Sequence, residues 1–210
     1  MNRRRAFLFA SAGGAVGIMA GSARTLAAAG AGTSAHLWLE FVAARQHRAF
    51  LDVGRFAADL APFRRAENLM ASLRESESAA SADIGIAFGA HSTALGYLLT
   101  QRAWDEFSLV EWLTAQLDER ERDAFRARAD WGAESAARIE QLRAAGIRIL
   151  ACRQTMRRWA KTLATRAGVD ERDVATRLAE SLHAGVEPVP AMIAAAVLAQ
   201  ERRLAYVDLG

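Results

Sequence analysis

The run from Gly146 to Thr155, Gly-Ile-Arg-Ile-Leu-Ala-Cys-Arg-Gln-Thr, constrains the fold more than any other stretch of the chain. Ile147, Ile149 and Ala151 alternate with Arg148, Leu150 and Cys152 behind a glycine, which is the pattern of a buried strand. Beyond it, Met156, Trp159, Ala160 and Leu163 fall at i, i+3, i+4 and i+7 and predict an amphipathic helix over Thr155 to Arg166. A strand running straight into a helix puts Cys152, the only cysteine, at the strand's carboxyl end. That is the edge at which open α/β sheets bind their ligands.

The other segments follow the same grammar. Arg48 to Val53 reads as a first strand, and Pro62 opens a helix whose buried face is Phe63, Ala66, Leu69, Met70 and Leu73. Asp83 to Gly89 is a second strand, apolar throughout as a strand covered on both faces should be. Leu95, Leu98 and Leu99 then form a helical stripe. Glu134 to Ala145 is a helix stopped by Gly146, and Asp170 caps another that runs to about His183. Val186 to Val189 is a short strand whose Pro188 makes it an edge strand or a strand end; a helix over Pro190 to Arg202 and a last strand over Leu204 to Leu209 complete the chain. Strand-helix units repeated about five times predict a flavodoxin-like α/β fold, a parallel sheet of about five strands with helices on both faces. Arg102 to Trp131 is less regular, with mixed charges at Asp118 to Asp123. It reads as a solvated helical face or as a lid over the sheet edge, while Trp104, Phe107 and Trp112 suit a subunit interface.

The first 29 residues have a different composition. Arg3-Arg4-Arg5 precedes Phe7 and Leu8, a weakly apolar Ala/Gly run follows, and Ala27 and Ala29 sit as a peptidase requires. Arg4, Arg5, Phe7 and Leu8 resemble the core of a twin-arginine export signal. The expected organisation is a signal over 1–29, an N-terminal segment over 30–46 and an α/β domain over 47–210. The expected location is the bacterial periplasm, with the twin-arginine translocase as partner during export; an uncleaved membrane anchor is the alternative. The signal holds four arginines (Arg3, Arg4, Arg5 and Arg24) and no acid, so its removal takes the formal net charge from +3 to −1. The basic balance thus belongs to the signal, and no nucleic-acid partner is expected.

If the strands are parallel, the loops after them gather Asp52, Gly89, His91, Ser92, Cys152, Arg153, Gln154, Thr155 and Pro190 at one edge. Cys152 and His91 are the candidate catalytic pair and the others candidate binding residues. Helix amides, the Arg153 cation and a nearby histidine all favour the thiolate, the form that attacks or holds sulfur. The competing reading makes Cys152 a small packed hydrophobe and His91 a loop-bonding residue. Without a second cysteine no intramolecular disulfide can form. The four histidines lack ligand-like spacing, and the glycines match no phosphate-binding motif, so neither a metal nor a cofactor is expected.

Several stretches in order resemble the DsrE/DsrF-like family, in its exported branch. They are Phe50 to Gly54, Pro62 to Leu69, Ile86 to Leu95, Gly146 to Met156, Val189 to Met192 and Ala199 to Glu201. The resemblance implies a homo-oligomer, trimer or hexamer, and a strand-end cysteine, here Cys152, that carries sulfur as a persulfide between donor and acceptor proteins. His91 matches the family's loop histidine. The expected function is an exported carrier of sulfane sulfur, more than a multiple-turnover enzyme. The alternative is a non-catalytic oligomeric module that binds a small ligand and packs its cysteine.

Overall fold

The computed structural model describes residues 37–117 and 119–210, so the stretch over 1–29 expected to be an export signal lies outside the described residues. A short helix α1 (Leu37–Ala43) leads into strand β1 (His47–Val53), helix α2 (Ala61–Ser76) and strand β2 (Ile84–Ala90). A 3-10 turn over Ser92–Leu98 and four helices follow: α3 (Gln101–Glu106), α4 (Leu109–Thr114), α5 (Glu119–Arg126) and α6 (Trp131–Ala144). Then come β3 (Arg148–Cys152), α7 (Arg153–Ala167), α8 (Glu171–Glu180), β4 (Val186–Val189), α9 (Met192–Glu201) and β5 (Ala205–Asp208).

The five strands pair in parallel in the order β4-β3-β2-β1-β5. Three successive crossovers step the same way across the sheet, and right-handed connections of that kind must all lie on one face. The return from β4 to β5 must lie on the other. The core divides accordingly. Leu51, Val53, Ile86, Phe88, Ile149 and Ala151 pack against α2, α6, α7 and α8, while Phe50, Ala87, Leu150, Cys152 and Val189 pack against α1 and α9. In a flavodoxin sheet the strand outside the first is second in the chain; here it is the last. Pro188 sits on the edge strand β4, where its missing N–H costs no ladder bond.

Two expectations are corrected. The stripe after the second strand belongs to a 3-10 turn rather than an α-helix, tied down by its own side chains to the backbone of the loop after β1. The Tyr97 hydroxyl accepts from Ala57 N and donates to Ala57 O, and Thr93 Oγ1 accepts from Phe56 N. The aromatics of Arg102 to Trp131, read as spare for a subunit interface, turn into this chain's own core instead. Phe56 lies at the centre of a buried cluster, with the rings of Tyr97, Trp131 and Phe125 at 4.1, 5.1 and 5.2 Å. Trp104 is 1% exposed within it. Phe107 and Trp112 are half-buried against the same core, Trp112 meeting Trp159 edge-on at 4.5 Å.

Candidate functional site

The strand register determines which side chains meet. Asp52 pairs with Gly89 across β1 and β2, and Ala90 with Ala151 across β2 and β3, so His91 follows β2 at the level where Cys152 closes β3. The His91 amide donates to Val53 O at 3.0 Å, extending the ladder by one step. Period-two alternation then sends Asp52, His91, Cys152 and, from β5, Tyr206 toward the α9 side of the sheet. With Gln154, Thr155 and Arg158 from α7, and Met192, Ile193, Ala196, Val197 and Gln200 from α9, they line a cleft of about 320 Å³. That volume suits a small molecule.

Asp52 is the hub of the polar end. Its Oδ2 accepts a 2.7 Å hydrogen bond from the Tyr206 hydroxyl, and its Oδ1 lies 3.1 Å from His91 Nε2. Burial pushes the Asp52 carboxyl up, but the contacts with His91 and Tyr206 outweigh it and hold the group below its ordinary value. The same bond to Asp52, with partial burial, pushes the Tyr206 phenol up to about 12, so it stays a donor. Two glycines make the seat. A Cβ on Gly54 would lie 3.2 Å from the His91 ring, and one on Gly89 would lie 2.4 Å from Met192 Sδ. Gly54 therefore lets the imidazole lie close to the loop after β1, and Gly89 lets α9 settle onto the sheet.

Cys152 is a free thiol, 4% exposed, at the N-cap position of α7 without making a side-chain cap bond. Thr155 Oγ1 accepts from the Ser92 amide at 3.2 Å and from Arg158 at 3.5 Å, which ties the loop after β2 to α7 beside the thiol.

Of the residues expected at this edge, Asp52, His91, Cys152, Gln154 and Thr155 line the cleft, and four do not. Gly89 lies inside β2 beneath Met192, a packing position. Ser92 contributes its amide to Thr155. Arg153 is exposed at the start of α7, and Pro190 is exposed beyond β4. The wall supplied by α9 and the Tyr206 hydroxyl escaped the sequence reading, because nothing local shows that β5 pairs with β1. Arg158 had a signal, since it stands one helical turn after Gln154. Among the described residues no group of three or more His, Cys, Asp or Glu side chains could hold a metal ion, and no helix is long and apolar enough to cross a membrane.

Fold and cleft together define a class: a parallel α/β protein with thiol, imidazole and carboxylate groups in one pocket at the carboxyl edge of its sheet. No family model and no curated protein matches the chain. A solved structure of a protein of unknown function from Methanobacterium thermoautotrophicum is 18% identical and covers 77% of this chain and 98% of its own, with a TM-score of 0.46. A likeness that slight carries no argument about function.

Proposed function

We propose that the protein binds or relays sulfane sulfur as a persulfide on Cys152. The observation that carries this reading is that the one cysteine lines the same cleft as an imidazole held by a half-buried carboxylate. His91 takes the thiol proton, and Asp52, anchored by Tyr206, keeps the ring in place for that transfer. The thiolate then attacks the donor's sulfane sulfur, and the donor leaves with the electron pair of the broken S–S bond. With one cysteine and no resolving thiol, the persulfide waits for an acceptor, so the protein works as a carrier.

We also propose export by the twin-arginine route and a trimeric or hexameric assembly. These rest on Arg4, Arg5, Phe7 and Leu8 and on the DsrE/DsrF-like resemblance.

One observation favours a second reading, a small-ligand or assembly module. Cys152 belongs to the apolar cluster with Leu150, Val189 and Met192, where a packed thiol is ordinary. Labelling separates the two. A native thiol that reacts with a small alkylating reagent, and a Cys152→Ala protein of unchanged stability, support the carrier. A thiol that reacts only after denaturation, with a destabilised variant, supports the module.

A further inference from the structure

One carboxylate, Asp52, and one guanidinium, Arg158, line the cleft. Asp52, its one acidic lining residue, is already engaged by His91 and Tyr206. Arg158, which also lines the cleft, hydrogen-bonds the Thr155 hydroxyl at 3.5 Å and has no carboxylate partner among the described residues. Its helix carries Arg153, Arg157, Arg158, Lys161 and Arg166 and no acidic residue from Arg153 to Ala167. The remaining wall is apolar or neutral, with Ile193, Ala196, Val197 and the amides of Gln154 and Gln200. Arg158 thus stands in a cleft whose remaining wall is apolar or amide, without a carboxylate of its own, and a guanidinium presents paired donors to an oxyanion.

We propose that the sulfur donor this cleft accepts is a small anion bearing sulfane sulfur, of which thiosulfate is the simplest, with its charge held by Arg158. The binding claim stands on the lining alone; the chemical step rests on the carrier reading of Cys152. In that step the Cys152 thiolate attacks the outer sulfur of thiosulfate. A bond forms between Sγ and that sulfur, and the bond from it to the sulfonate sulfur breaks. Sulfite leaves with the electron pair, and Cys152 is left as a persulfide anion. Total charge is unchanged, and the proton that His91 took from the thiol departs with sulfite. No outside oxidant or reductant is needed.

The test separates binding from chemistry. Thiosulfate is titrated into the Cys152→Ala protein, which cannot react, and into the same protein carrying Arg158→Gln, Arg158→Lys or Arg157→Gln. The expected result is saturable binding that weakens roughly tenfold with Arg158→Gln, is largely kept with Arg158→Lys, and is unmoved by Arg157→Gln, whose side chain does not line the cleft. Absent binding, or equal losses with Arg157→Gln and Arg158→Gln, overturns the proposal, since the latter would be a diffuse field and not a site. Binding as expected, with no sulfur gained by the protein that retains Cys152, keeps the anion site and removes the carrier reading instead.

Discussion

Asp52 joins two residues that the chain keeps far apart, and its charge is what both of them use. Tyr206 donates to one of its oxygens and His91 stands at the other, while the Asp52 side chain is only 17% exposed. Because the folded protein holds this carboxyl below its ordinary value of 3.8, the unfolded chain binds its proton more readily. Its contribution to stability is therefore complete above that value and is lost as pH falls through it toward the lower folded value. Denaturant midpoints measured from neutral pH into this acidic range should show the advantage of the native protein over Asp52→Asn shrinking as acid is added. An advantage that stays constant would mean that Asp52 is not held as an anion by its neighbours. At this scale the sequence was half legible. Asp52, His91 and Cys152 follow strands whose alternation is visible in one dimension, so their shared edge can be read. Tyr206 is reached only through the pairing of β5 with β1, a contact between strands at opposite ends of the domain that no local pattern announces.

At the scale of elements, hydrophobic period located every strand and the helices α2, α6, α7, α8 and α9. It failed between Gln101 and Arg126, where three helices of six to eight residues are too short for a period to establish itself. Their positions are set by ring packing around Phe56 and by one close backbone approach. A Cβ on Gly132, at the start of α6, would lie 2.3 Å from Gln101 N and 2.7 Å from Thr100 C, and backbone cannot turn aside as a side chain can. Gly132→Ala should thus destabilise the protein by about 1–3 kcal/mol, although alanine favours a helix by up to about 1 kcal/mol over glycine. A urea midpoint at or above that of the native chain would show that α3 and α6 do not need this contact. The same reasoning explains the misread aromatics. Trp104, Phe107 and Trp112 look spare only while the helices carrying them have no assigned neighbour.

For the whole molecule, the doubly wound sheet was legible because each strand-helix unit declares its own type and right-handed crossovers leave few ways to assemble them. The order of the strands was not legible, and neither was the wall that α9 builds over the Cys152 edge. The export proposal makes a prediction for the intact chain: replacing Arg4 and Arg5 with lysine should leave the protein in the cytoplasm of a bacterium that has a twin-arginine translocase. Unimpaired export of that variant would remove this part of the account. The central claim, that Cys152 holds sulfane sulfur, is tested most directly by the intact mass of the native, unreduced protein before and after incubation with inorganic polysulfide. The account predicts a gain of one sulfur atom, reversed by reductant and absent from Cys152→Ala. A native mass that does not change, with a thiol that reacts only once the protein is denatured, would contradict it.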